Sequence, residues 1–461
     1  MPGATKTAPV KLTIRAYQVG FGDCFLLTFQ YPRNGKKVDN ERHVLVDFGS
    51  TGMPDGIDHG DQMMKVANDI AHRCNRKLNI VVATHRHKDH ISGFTTKTNG
   101  GGTGEIIAAL RPDIVIQPWT ENPALKDSAL TNGAKKQQRN GHGLPLTNIQ
   151  YLSALDDMNA VASTITTEVD HLHSGKFMKA MADDVAAEIG FLSEDNSLPN
   201  RLAVANLARM GENHYVNSGY KLDVSQILPG VKIHVLGPPN LEQHAKIQKQ
   251  RSRDENEFWM LQGAARAFWK MQAASGELIN NFTSGESRLF PDADIYQNFF
   301  PSHNRWFIRQ LRSLRGQQLL GLVRILDRAM NNTSVILLFE FAGKKLLFPG
   351  DAQIENWEYA LNDQATLELL KDVCVYKVGH HGSRNATPKS LWKGFARKRS
   401  DGKPDRLVTI NSTMRGKHGH SENNTEVPRT TLVKEMRNLS NYRTTEEAAK
   451  RKELYVDIDV E

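Results

Sequence analysis

The run VVATHRHKDHISGF (81–94) sets three histidines and an aspartate within six consecutive positions, directly after an apolar stretch. In THRHKDH, His85 and His87 stand two apart, and Asp89 and His90 follow at once. Where a strand gives way to a loop, this spacing lets two imidazoles grip one metal ion while the carboxylate and third imidazole reach a second. Imidazole nitrogen and carboxylate oxygen suit zinc, manganese or iron, and the lack of cysteine donors argues against a closed structural zinc site. Other chemistries find no footing. There is no G-x-S-x-G nucleophile turn, no Walker A lysine loop and no dinucleotide-binding glycine pattern. Cys24 and Cys374 sit inside apolar runs, and the three cysteines, Cys74 included, form no C-x-x-C pair or disulfide framework.

A buried strand has to deliver that cluster, and LNIVVATH (78–85) has the apolar continuity of one. Before it, KLTIRAYQV (11–19), CFLLTF (24–29) and HVLVDFG (43–49) predict strands, and residues 60–74 carry apolar residues at helical spacing. A ligand cluster at the carboxyl end of a strand is the usual geography of an α/β active site. PDIVIQPW (112–119) and VKIHVLGPP (231–239) predict further strands of the same sheet. Long polar stretches at 150–192, 240–276 and 304–330 predict helices. They are expected to form a mainly helical insertion at about 120–330 within a single domain spanning 1–461. The segments SVILLFEF (334–341), LLFPGD (346–351), VCVYKVGHHGS (373–383), RLVTINS (406–412) and LYVDIDV (454–460) return to strand patterns. The expected fold is therefore α/β, a two-sheet sandwich with helices outside, its halves drawn from the two ends of the chain.

The THRHKDH run resembles the H-x-H-x-D-H signature of the metallo-β-lactamase superfamily, an αββα sandwich carrying one or two catalytic metals at one edge. VGFGDCFLLTF with HVLVDFG, NNTSVILLFEFAGKKLLFPGD, and VYKVGHHGS resemble, in the right order, segments of its ComEC-type, DNA-uptake nuclease-like branch. Together they cover about residues 10–95 and 330–430. The resemblance implies two divalent metal ions, zinc or manganese. His85 and His87 would hold the first, Asp89 and His90 the second, and Asp351 would bridge them by offering one oxygen to each. His380, nearer the strand, would complete the second site, leaving His381 to touch substrate. Asp23 and Asp47 would orient ligands. RGKHGHSENN (415–424) resembles the branch's Y-G-H-P segment, so His418 and His420 could assist protonation or metal binding, or merely decorate a loop. Asp89, His381 and His420 are thus the catalytic candidates. Gly237 stands where relatives supply a further histidine, and His234, an odd step away on a strand, should face the other way. The first site is then weak, unless His142, His171 or His173 fills it.

The implied activity is a metal-dependent hydrolase, a phosphodiesterase or nuclease using a metal-bound hydroxide as nucleophile. A net charge of +8 and a pI near 9.2 suit a nucleic acid or other phosphodiester partner without demanding one. Arg305, Arg309, Arg312 and Arg315 fall on one predicted helix face, commonly a solvated face but near a dimetal site a strip for phosphates. A small-molecule hydrolase (phosphorylcholine-type esterase, cyclic-nucleotide phosphodiesterase or lactonase) is the alternative, and a binding or regulatory descendant with an incomplete metal site is another. No apolar run approaches the roughly 20 residues of a membrane span, and the N-terminus lacks a signal-peptide pattern. A cytoplasmic protein is expected.

Overall fold

The computed structural model of the chain describes residues 8–32, 40–124, 152, 200–244, 330–383, 387–419, 421 and 426–460. The chain divides into two compact units, one comprising Met1–Asn122, Asn200–Ile247 and Met330–Glu461, the other Pro123–Pro199 and Gln248–Ala329. The arginine-bearing stretch 304–330, apart from its last residue, and His142, His171 and His173 lie outside the described residues.

The first unit is mixed α/β and holds two mixed sheets. Six strands of the first follow one another in the chain: β1 (Lys11–Tyr17), β2 (Cys24–Gln30), β3 (Glu41–Phe48), β4 (Ile80–Val82), β5 (Ile114–Pro118) and β6 (Glu212–Val216). The second is built from β7 (Val231–Gly237), β8 (Ile336–Phe341), β9 (Lys344–Phe348), β10 (Val375–Lys377), β11 (Val408–Asn411) and β12 (Asn441–Thr444). The last strand, β13 (Tyr455–Val460), returns to the first sheet. The orders are β13-β1-β2-β3-β4-β5-β6 and β12-β11-β10-β9-β8-β7. The segments 112–119 and 231–239 therefore belong to different sheets, contrary to the sequence expectation. Both are apolar runs, and which sheet a run joins is decided by distant partners it does not encode.

Side-chain alternation builds the layers. Phe25, Leu27 and Phe29 of β2 pack in one apolar core with Leu337, Phe339 and Phe348 of the other sheet, whereas Cys24 and Leu26 point into a second core. Phe25 and Phe348 meet edge to face, with centroids 5.8 Å apart. The outer face of the first sheet is covered by the helix His59–Arg73, through Met63, Val66, Ala67 and Ile70 at helical spacing. Its first turn is capped by Asp58 Oδ1, which accepts from Asp61 N at 2.8 Å. The outer face of the second sheet packs on Trp357, Leu370, Leu391 and Met436, which lie on four further helices. The layers run helix, sheet, sheet, helix. No helix among the described residues is long and apolar enough to cross a membrane.

Candidate metal centre

The parallel strands β3 and β4, and β9 to β11 in the other sheet, all end near one edge of the sandwich. Strand β2 runs antiparallel to β3, so its start, Asp23-Cys24, lies at that edge too. Two residues past β4 comes Thr84, followed by His85, and His87 is the cap residue of the short helix Lys88–Ile91 that carries Asp89 and His90. Glycines make room for this helix. A Cβ on Gly22 would sit 2.8 Å from Asp89 O, and one on Gly49 would sit 2.4 Å from His90 N. Those close approaches account for Gly22 of VGFGD and Gly49 of DFG. The loop backbone is also tied, with Asp23 N donating to Asp89 O at 2.8 Å and Gly49 N to Asp23 O at 3.0 Å. On the other side, Arg86 Nη1 approaches buried Glu121 Oε2 at 3.5 Å, and Asn200 Nδ2 donates to Arg86 O at 2.6 Å.

His85, His87, Asp89, His90, Asp351 and His381 are all buried. Their donor atoms fall into two groups, each compact enough for one ion: His85, His87 and Asp89; and Asp89, His90, Asp351 and His381. In the first, His85 Nε2 and His87 Nδ1 stand 2.9 Å apart. Burial pushes the His85 imidazole well below its usual pKa and lowers His87 to about 4, so both rings are neutral near neutral pH, the form that can bind a metal. In the second, His381 Nε2 faces Asp89 Oδ2 at 2.8 Å and Asp351 Oδ2 at 3.6 Å, and His90 Nε2 faces Asp351 Oδ2 at 3.1 Å. Burial opposes charge on these two rings, yet their carboxylate neighbours, Asp351 first, raise both pKa values. Asp351 itself, though fully buried, is held well below the usual carboxylate range by His90 and His381.

The outward nitrogens are anchored, which fixes the inward ones. His381 Nδ1 donates to Ser412 O at 3.0 Å, and His90 Nδ1 bonds Asp47 Oδ2 at 2.8 Å. Asp47, itself at a left-handed φ of 57°, also accepts from Thr84 N at 2.7 Å and Thr84 Oγ1 at 2.8 Å. Asp47→Asn keeps the shape but removes the carboxylate behind His90. We expect zinc affinity to fall about 10–100-fold, as read by competition with a chromogenic chelator; unchanged affinity would remove Asp47 from this role.

Set against models of known protein families and against curated proteins, the chain matches none.

Chemically, the donor set fits a cation. Asp89 Oδ1 is a buried carboxylate oxygen without a hydrogen bond among the described residues, and Asp351 Oδ2, equally buried, is faced by the His90 and His381 rings. A buried oxygen without a hydrogen bond is costly unless an ion or water meets it. These buried histidine and aspartate groups can hold a metal ion, and their nitrogen and oxygen donors do not by themselves choose which.

Three expectations change on this geometry. The carboxylate common to both groups is Asp89, not Asp351. Asp351 does not turn one oxygen to each group: its Oδ1 accepts from His380 N at 3.1 Å and faces Lys377, while only Oδ2 faces His90 and His381. The histidine that closes the second group is His381, not His380. His380 Nε2 lies 3.9 Å from Asp351 Oδ2, its side chain is 17% exposed, and its Nδ1 bonds Ser383 Oγ at 3.0 Å. Both histidines occupy the left-handed region, at φ 44° and 52°, so strand alternation gives no guide to which faces inward.

Elsewhere, His234 lies on the outer face of β7 and bonds Glu340 Oε2 at 2.8 Å, away from the cluster. Half-buried His418 packs edge to face on Phe21 at 4.5 Å, and Phe21 in turn touches His381 at 4.3 Å. His420 lies outside the described residues. A Cβ on Gly237 would stand 2.4 Å from Asn356 Oδ1 and 2.9 Å from Ile336 Cδ1. Asn356 Nδ2 holds Ser334 O, and Ser334 Oγ accepts from Asp351 N. Gly237→His should therefore cost stability, about 1–3 kcal/mol of overpacking, in urea unfolding. A variant as stable as wild type that binds zinc more tightly would restore the strand-end ligand implied by the sequence resemblance.

The sequence reading missed Lys377, Thr84 and Ser412. For Lys377 a signal existed: a lone charge in an apolar run three residues before the histidine pair. Thr84 and Ser412 act through a hydroxyl and a carbonyl, which carry no pattern.

Proposed function

We propose that the chain is a metal-dependent hydrolase with a metallo-β-lactamase-type αββα arrangement, acting on phosphodiesters and most directly on nucleic acid. The observation that carries this reading is the pair of buried histidine–aspartate groups joined at Asp89, at one edge of a two-sheet sandwich. Divalent ions bound there would supply Lewis acidity toward a phosphate and a water acidified toward neutral pH. The chain's own residues do the positioning. Ser412 O and Asp47 aim His381 and His90, Asp351 presents Oδ2, and Phe21 screens His381. The order and spacing of the ComEC-like segments and the net charge of +8 favour a polyanionic diester over a neutral ester. The test is metal analysis of the purified protein, followed by turnover of bis-p-nitrophenyl phosphate and of single- and double-stranded DNA with zinc or manganese. Stoichiometric metal with diester and DNA cleavage supports the reading. Cleavage of the small diester alone would move it to small-molecule substrates, and absence of tightly held metal would sink it.

A further inference from the structure

A third set of donor atoms, Asp23, Asp47 and His90, is also compact enough for one ion. It differs from the other two because the chain already brings a cation to it. Lys377 is the last residue of β10, and strand alternation from Val375 turns its side chain into the layer between the sheets. There its ammonium is ion-paired with Asp23 Oδ2, stands 3.7 Å from Asp351 Oδ1 and donates to Gly350 O at 3.4 Å. The ammonium of this side chain, which is 2% exposed, thus has a carboxylate and a carbonyl as close acceptors and a second carboxylate at ion-pair distance. Asp23 enters from the first sheet and Lys377 from the second, so this pair crosses the sandwich at the edge that holds the ligands. Around it four carboxylates are buried, Asp23, Asp47, Asp89 and Asp351, and Lys377 is the one buried lysine among the described residues.

We propose that Lys377 is the resident cation of the centre, a positioning residue that neutralises Asp23 and holds Oδ1 of Asp351 so that only Oδ2 is presented for metal binding. This rests on the cluster being a metal centre. A covalently attached ammonium cannot dissociate, so part of the negative charge stays compensated whatever the metal supply. Removing it leaves more buried negative charge for added divalent ions to balance. The stability of a variant lacking it should therefore depend more steeply on metal than that of the wild type.

The experiment uses full-length protein, Lys377→Met, Asp23→Asn and the double variant, each melted with excess chelator and with saturating zinc. Methionine keeps the unbranched length without the charge. In chelator, Lys377→Met should melt about 5–10 °C below wild type. Zinc should raise its melting temperature by more than it raises that of the wild type. The double variant should recover much of the loss, because one negative charge leaves with the positive one. Should Lys377→Met not fold, the double variant decides: folding rescued by Asp23→Asn supports the assignment, and an equally unfolded double variant overturns it. A wild type that zinc shifts, with Lys377→Met lowered equally in zinc and in chelator and additive with Asp23→Asn, overturns the role of Lys377 alone. A wild type that zinc does not shift overturns the metal centre and this assignment together.

Discussion

Turnover of a chromogenic phosphodiester by His87→Ala and by Asp351→Ala should drop to the level of the chelator-treated wild type, with zinc or manganese restoring neither. The two residues represent the two donor groups, so joint loss would show that both groups are needed. His87 is a neutral ring, its pKa pushed down to about 4 by burial, so alanine removes a ligand and leaves a cavity. Asp351 is different because its carboxylate faces His90 at 3.1 Å and Lys377 at 3.7 Å. Its loss leaves buried positive charge uncompensated, a cost of about 3–5 kcal/mol. Both variants should keep the wild-type far-ultraviolet circular dichroism, with Asp351→Ala melting lower. Turnover within tenfold of wild type in either variant, at saturating metal, would remove that residue from the site.

What the sequence made legible follows from what each feature buries. Strands β1 to β5 and β7 to β10 announce themselves because they carry apolar side chains into the cores on both faces, and β11 follows directly on Leu407, which enters the outer core. Strands β6 and β12, ENHYV and NYRT, were missed. Each closes one edge of its sheet, buries one residue in its span and so lacks a hydrophobic period. The ligand run was legible because six adjacent residues fold as one local unit, the strand exit and the helix Lys88–Ile91. The partners that complete it come from far along the chain. Asp351 was found through a Gly-Asp segment, but which of its oxygens meets which group depends on His380 N and Lys377, and neither contact leaves a trace in spacing. Lys377 itself reads as a strand-end lysine until Asp23, more than three hundred positions earlier in the chain, is seen against it.

The sharpest discrimination lies between two adjacent histidines. His381→Asn should lose turnover to background and one equivalent of zinc on gel filtration, whereas His380→Asn should keep its metal and lose at most about tenfold in rate. Asparagine is chosen because both positions are left-handed, where it is tolerated better than alanine, so the backbone cost is matched between the variants. The difference rests on reach and anchoring. His381 is buried, its Nδ1 is held by Ser412 O, and its Nε2 meets Asp89 at 2.8 Å. His380 is partly exposed and tied by Nδ1 to Ser383, and what it gives Asp351 at hydrogen-bond distance is its backbone N–H, which asparagine retains. An asparagine at 380 should accordingly leave the orientation of Asp351 intact, and the loss should be confined to whatever the exposed ring does for substrate. If His380→Asn sheds a metal while His381→Asn retains both, the inward ring has been misassigned, and the ligand nearer the strand closes the second group.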